Sequence, residues 1–237
     1  MDIYVALFYR YFLALVVMLP WLLPSGGAAL KTQRLGLHIG RALLMVIHGG
    51  TLMVAVTLIP LAEATSLIFT SPLFATGLAA LFLREVVGPH RIFALVLAFN
   101  LASGLMLVSA FTGASVVVTG KVLLRTESAE KTVFYLTLFA VPFALMPALY
   151  FWQWPSLEQY FWLFMTGVLS SVAGLMFAKA YQVGEVTAVA PMSFSRLIFA
   201  AIVGFVFFSE IPEIWVWAGG AVIIYLGRIE ARLARVV

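Results

Sequence analysis

Apolar runs of about twenty residues, set apart by short polar or proline and glycine breaks, fill this sequence almost from end to end. The run from Tyr4 to Leu23 closes at Pro24, Ser25, Gly26 and Gly27; Ala42 to Pro60, Ala64 to Leu83, Thr132 to Phe151, Tyr160 to Ala180, Ala188 to Phe208 and Glu213 to Gly227 follow. A helix needs about 20 residues to cross a hydrocarbon core of about 30 Å. It also satisfies its own backbone where no water can. The runs therefore predict an all-α integral membrane protein. Composition agrees: 64% hydrophobic and 10% charged residues lie far from the soluble average of roughly 25% charged. No polar stretch is long enough for a separate soluble domain. The N-terminal run lacks a basic leader and a small-residue cleavage site, so it reads as a retained membrane segment. The formal charge of +4 reads as loop charge that sets orientation, and no nucleic-acid partner is implied. With no cysteine, disulfides and thiolate metal sites are excluded.

One stretch resists segmentation. Ile92 to Leu124 is too long for one ordinary span and barely long enough for two. Lys and Arg in short loops favour the cytoplasmic side, so charge can arbitrate. If the stretch crosses twice, as two short helices turning near Ser109 to Gly113, then Lys31, Arg34, Arg41, Arg84, Arg91, Lys121, Arg125, Lys131, Lys179, Arg228, Arg232 and Arg235 share one side. The opposite loops then carry Glu63, Glu158, Glu210 and Glu213 and no Lys or Arg. A single crossing splits the same cations five against seven. The charge rule predicts about nine transmembrane helices, with the N-terminus outside and the C-terminus in the cytoplasm.

The segment from Leu58 to Arg91 returns in degraded form from Ala180 to Trp217. Each copy opens on an acid and a threonine (Glu63 and Thr65; Glu185 and Thr187) and has a kinked or polar start (Ser71 and Pro72; Pro191 and Ser193). Each ends at an acid, Glu85 or Glu210, followed by a proline. The nine-pass count puts the two copies in opposite directions. Inverted repeats of this kind mark secondary transporters. The domain expectation is an N-terminal half over residues 1–110 and a C-terminal half over residues 111–237.

PLAEATSLIFTSPLFATGLAALFLREVVGPHR and APMSFSRLIFAAIVGFVFFSEIPEIWVWAGGAVII, with the lead-in AKAYQVGEVTAVAP, resemble the two halves of EamA-type members of the drug/metabolite transporter superfamily. The resemblance covers nearly the whole chain. It implies a ten-helix inner-membrane carrier of two inverted five-helix halves, moving metabolites, amino acids or drugs, often outward, by alternating access. Against that pattern the chain begins at the second helix, and the region joining the fifth and sixth is shortened. The expectation is therefore a secondary transporter working as an exporter. The competing expectation is a structural or regulatory membrane subunit that does not transport. Both imply a multi-pass protein of the cell inner membrane, and a homodimer that fills the place of the absent helix stays open.

Ionisable residues deep in apolar spans are costly and usually face a bundle interior or a water-filled cavity. Arg196, with Ser193 three residues earlier on the same face, suits a carboxylate or phosphate of an anionic substrate; the alternative is a structural arginine. The resemblance supports the first, since an arginine often occurs there. Arg10, between Tyr9 and Tyr11, either lines the outer mouth or reaches the headgroups. His48, with Thr51 on its face, suits proton coupling or simple hydrogen bonding. Asn100 and Tyr181 complete the candidate substrate-contacting set. Ser170, Gly174 and Ala178 form a small-residue stripe that suits helix packing. Pro142 and Pro147 are expected to kink their helix. No HExxH, GxSxG or Walker pattern is present, and His38, His48 and His90 lack metal-ligand spacing. The sequence implies no enzyme, cofactor or metal.

Overall fold

The computed structural model describes residues 1–22, 31–58, 71–83 and 103–189, and every structural statement below concerns these. They form six helices and one helical turn: α1 (Ile3–Leu22), α2 (Leu35–Leu58), α3 (Ser71–Leu83), α4 (Ser103–Leu124), α5 (Ala129–Tyr150), α6 (Leu157–Val183) and the turn α7 (Val186–Val189). Five of them, all but α3 and α7, are long and apolar enough to cross a membrane. Large apolar side chains such as Leu81, Phe82, Leu169 and Met176 lie about seven-tenths exposed on the outside of the bundle. Lipid, not water, is the solvent in which that exposure carries no penalty. The copy of the repeat from Ala190 onward and the stretch 84–102 lie outside the described residues, as do Glu63, Glu85 and Glu210.

Local signals set the helix ends. Ser128 caps α5 by accepting a hydrogen bond from the Lys131 amide. A complete capping box opens α6, with Ser156 accepting from the Gln159 amide and the Gln159 side chain accepting from the Ser156 amide. Both helices begin three residues before the apolar runs predict, because hydropathy is blind to the polar first turn. Pro142 and Pro147 lie inside α5, which remains one helix from Ala129 to Tyr150.

The expected turn near Ser109 to Gly113 is overturned: these residues are interior to α4, one uninterrupted helix of 22 residues. Hydroxyls that suggest a turn are satisfied inside the helix. Thr112 donates to the Val108 carbonyl (2.7 Å), Ser115 to Phe111 (2.8 Å) and Thr119 to Ser115 (2.6 Å). The small residues there serve contact with α2, since a Cβ at Gly113 would come within 2.8 Å of the His48 ring.

Two apolar cores run through the bundle. One joins α1, α2, α5 and α6 through Val5, Leu7, Phe8, Tyr11, Ala140 and Leu163; the other joins α1, α3, α4, α5, α6 and α7 through residues such as Met18, Ala79, Ala114, Phe134, Tyr181 and Val186. One end of the bundle is aromatic. Tyr4 stacks on Phe151 (5.4 Å), Phe8 and Tyr9 meet Trp152, and the Tyr9 and Tyr160 hydroxyls hydrogen-bond at 3.1 Å. Trp154 and Trp162 beside them are largely exposed, as at a membrane surface. The other end, with Lys31, Arg34, Arg125 and Lys131, is basic.

The α1–α6 seam brings two backbones close together. A Cβ at Gly167 would lie 2.9 Å from Leu13 Cβ and 3.2 Å from the backbone of Leu13 and Ala14, and the Ser171 hydroxyl donates to the Ala14 carbonyl at 3.1 Å. Close approach therefore uses Gly167 and Ser171. Of the expected stripe, Ala178 is buried, Ser170 is half-buried, and a Cβ at Gly174 would meet only Val133 at an ordinary 3.5 Å.

Candidate functional site

Arg41 changes the reading of the basic residues most. The sequence places it in a loop as an orientation charge; the structure places it inside α2, buried, with its Nε donating to the Val116 carbonyl (3.0 Å) and a terminal nitrogen to the Thr132 carbonyl (3.1 Å). One guanidinium thereby ties α2 to both α4 and α5, which a planar fork of donors can do and a single ammonium cannot. Gly120 makes room for it: a Cβ there would sit 2.8 Å from the guanidinium.

One turn earlier His38 is fully buried. Its Nε2 lies 2.6 Å from Glu127 Oε2 in the turn between α4 and α5. Its ring packs 4.7 Å from that of Tyr135. The Thr32 hydroxyl donates to the other oxygen of Glu127. Burial alone would raise the Glu127 pKa, yet the Thr32 and His38 hydrogen bonds and the Lys131 charge outweigh it and hold the carboxyl below its usual range. Arg34 donates to the Val122 carbonyl at 3.3 Å, and Lys131 to the Lys31 carbonyl.

Farther along α2, His48 Nδ1 lies 2.8 Å from the Ser109 carbonyl and 2.9 Å from its hydroxyl, and that hydroxyl lies 3.1 Å from the His48 carbonyl. His38, Arg41 and His48 share one stripe of α2 and fasten it to α4, α5 and the turn between them. The spacing His38, Arg41, His48 was the available sequence signal. It becomes legible once the helix is allowed to start at Leu35, seven residues before the apolar run.

Arg10 occupies a different place. Leu7 and Tyr11 meet α2 at Gly49, and Leu13 and Ala14 meet α6 at Gly167. Arg10 stands between these two seams by helical periodicity, half-buried, its guanidinium carbon 5.7 Å from the Tyr11 ring centre. No acid among the described residues pairs with it. It lies about 10 Å into α1 at 1.5 Å per residue. Tyr11 donates to the Met45 carbonyl at 3.1 Å.

Tyr181 is buried near the basic end, and its carbonyl (2.6 Å) and that of Gly184 (2.7 Å) accept hydrogen bonds from Lys121 Nζ. Lys121 thus closes the C-terminus of α6, where cations suit the exposed carbonyls. Lys179 pairs with Glu130 at 3.2 Å on the surface. The structure does not bring Arg10, His48 and Tyr181 together: Arg10 lies between the α1 seams, His48 faces α4, and Tyr181 lies at the basic end. Arg196, Ser193 and Asn100 fall outside the described residues, as does Pro191. No cluster of metal-ligating side chains is found among the described residues.

Five apolar helices of spanning length, with a basic end and an aromatic end, define a multi-pass membrane protein. The model of the EamA-like transporter family matches the chain twice, over residues 1–100 and 100–228. The chain belongs to that family. It is 35% identical over 233 residues to the riboflavin transporter of Vibrio cholerae, covering 91% of this chain and 78% of the relative. It is 26% identical over 231 residues to the S-adenosylmethionine uptake transporter of Rickettsia bellii, covering 92% and 79%. With the pseudopaline exporter of Pseudomonas aeruginosa it shares 28% identity over 228 residues, covering 86% and 77%.

Proposed function

We propose that this chain is a secondary carrier of the bacterial inner membrane that moves a small polar organic molecule by alternating access. Riboflavin is the first substrate to test. The observation that carries the reading is the 35% identity with a riboflavin transporter, sustained over 91% of the chain. The transporters named among its other relatives support the class. Those names run in both directions, uptake in one and export in another, so the outward direction expected from the sequence is a proposal with two measurable arms.

The nine-pass topology, the inverted repeats, the external N-terminus and the cytoplasmic basic end belong to the same proposal. A carrier of this design needs a polar path between its halves. Arg10, set between the α2 and α6 seams with no acid beside it, is the described residue best placed to donate hydrogen bonds to substrate oxygens. Arg196, Ser193, His48, Asn100 and Tyr181 are the remaining proposed contacts. An anionic substrate is what the two arginines would favour. Riboflavin, whose ring carbonyls accept hydrogen bonds, uses the same donors without a charge.

Cells devoid of their own riboflavin uptake test the proposal. Expressing the chain should give saturable accumulation of labelled riboflavin, or faster loss from preloaded cells. Arg10→Ala should cut the rate about tenfold or more, the cost of removing one or two charge-assisted hydrogen bonds. Neither gain nor loss above vector controls, with the protein present in the membrane, removes riboflavin as substrate. Full transport by Arg10→Ala removes the site assignment.

A further inference from the structure

The large majority of buried side-chain polar atoms in native proteins have a hydrogen-bond partner, and each that lacks one calls for an explanation. His38 Nδ1 is buried and has no partner among the described residues, although the rest of the imidazole is closely held. Nε2 lies 2.6 Å from Glu127 Oε2. With Glu127 ionised, Nε2 must carry the proton and donate it, which leaves Nδ1 as a bare acceptor. Adding a proton to His38 would put an N–H at Nδ1 with nothing to receive it. It would also raise the charge of the pair from −1 to zero, and so stop it offsetting its neighbours.

The charged and titratable groups that face the imidazole are Glu127 from the turn, Lys131 and Tyr135 from α5, and Arg41 from α2 itself. Glu127 favours a positive charge on the ring, but burial, the cations Arg41 and Lys131 and the unpartnered Nδ1 all oppose it. Together these make protonated His38 hard to combine with the closed pair. Accommodating an imidazolium would require α2 and the α4–α5 turn to move apart, so that Nδ1 reaches water.

We propose that the His38–Glu127 pair is a proton-binding site and that proton uptake there unlatches the first turn of α2 from the turn between α4 and α5. His38 lies in the first family match and Glu127 in the second, so the latch joins the two halves of the chain at its basic end. Arg41 and His48, farther along the same helix, keep their bonds when the latch opens. The movement is thus confined to the end of α2. This role is independent of which substrate is carried.

Amide hydrogen exchange on the full chain in lipid nanodiscs reads the latch directly, because local opening exposes bonded amides. The amides of Leu37 and His38 bond the Arg34 carbonyl, and those of Thr126 and Glu127 bond the Leu123 carbonyl. Corrected for the intrinsic pH dependence of exchange, these amides should be protected at about pH 7.5 and exchange about tenfold or more faster at about pH 5, the range in which an imidazole takes up a proton. Residues 163–178 in α6 should hold their protection throughout, which shows that the fold persists. His38→Gln places an amide donor where Nε2 stands but takes up no proton, and should stay protected at both pH values. His38→Ala should be open at both. Corrected exchange in wild type that does not change with pH would overturn the proposal, as would His38→Gln opening in acid as wild type does.

Discussion

Arg41 illustrates how a cation of ordinary appearance comes to hold a membrane bundle together. Its two bonds reach carbonyls of α4 and α5 at 3.0 and 3.1 Å from a buried position. Hydrogen bonds to a charged group contribute about 1.5–3 kcal/mol each. Arg41→Lys keeps the charge but has no planar fork to reach both carbonyls. It should lose about 1–3 kcal/mol of stability, seen as a lower unfolding temperature in detergent. Gly120→Ala tests the same contact without touching the charge, since the new Cβ would lie 2.8 Å from the guanidinium. It should cost about 1–3 kcal/mol through overpacking. The two losses should be less than additive in the double variant, because both act on one contact. Strict additivity would show that Gly120 does not act through Arg41.

At the scale of elements, the α1–α6 pair is held by close backbone approach at Gly167, and the small residues elsewhere on α6 have weaker demands on them. Gly167→Ala would press Cβ to 2.9 Å from Leu13 and 3.2 Å from backbone atoms that cannot rotate away; it should destabilise by about 1–3 kcal/mol. Gly174→Ala meets only Val133 Cγ1 at 3.5 Å and gains helix propensity of up to about 1 kcal/mol, so it should be neutral or stabilising. Thermal unfolding of the two variants side by side checks the contrast, and equal losses would contradict the packing described. Hydropathy made the existence of these helices legible, because lipid selects for apolar length directly. It did not reveal their ends or their contacts. The first turns of α5 and α6 are polar and set by Ser128 and Ser156, and the hydroxyls of α4 that imitate a turn are satisfied within the helix.

For the whole molecule, the class of protein was written in the sequence twice, in its apolar runs and in the paired motifs that resemble the EamA family. The family match over residues 1–100 and 100–228 bears out that resemblance. The polar anchors at the basic end become legible only when α2 is taken to start at Leu35, ahead of its apolar run. Arg41 and Lys31 look alike in a sequence; only the packing of α2 on α4 and α5 makes the first a buried tie and leaves the second at the surface. Arg10 was legible as a cation within a span, though its place between two helix seams was not. Central to this account is that the chain itself is a carrier, and not a packing subunit derived from one. Flux of labelled riboflavin into or out of proteoliposomes holding only the purified chain tests this most directly, with a panel of amino acids and organic anions in parallel. A carrier gives saturable flux of at least one of these above protein-free liposomes. The absence of flux for every member of the panel, from protein shown to be folded and inserted, would contradict the carrier role and favour the structural subunit.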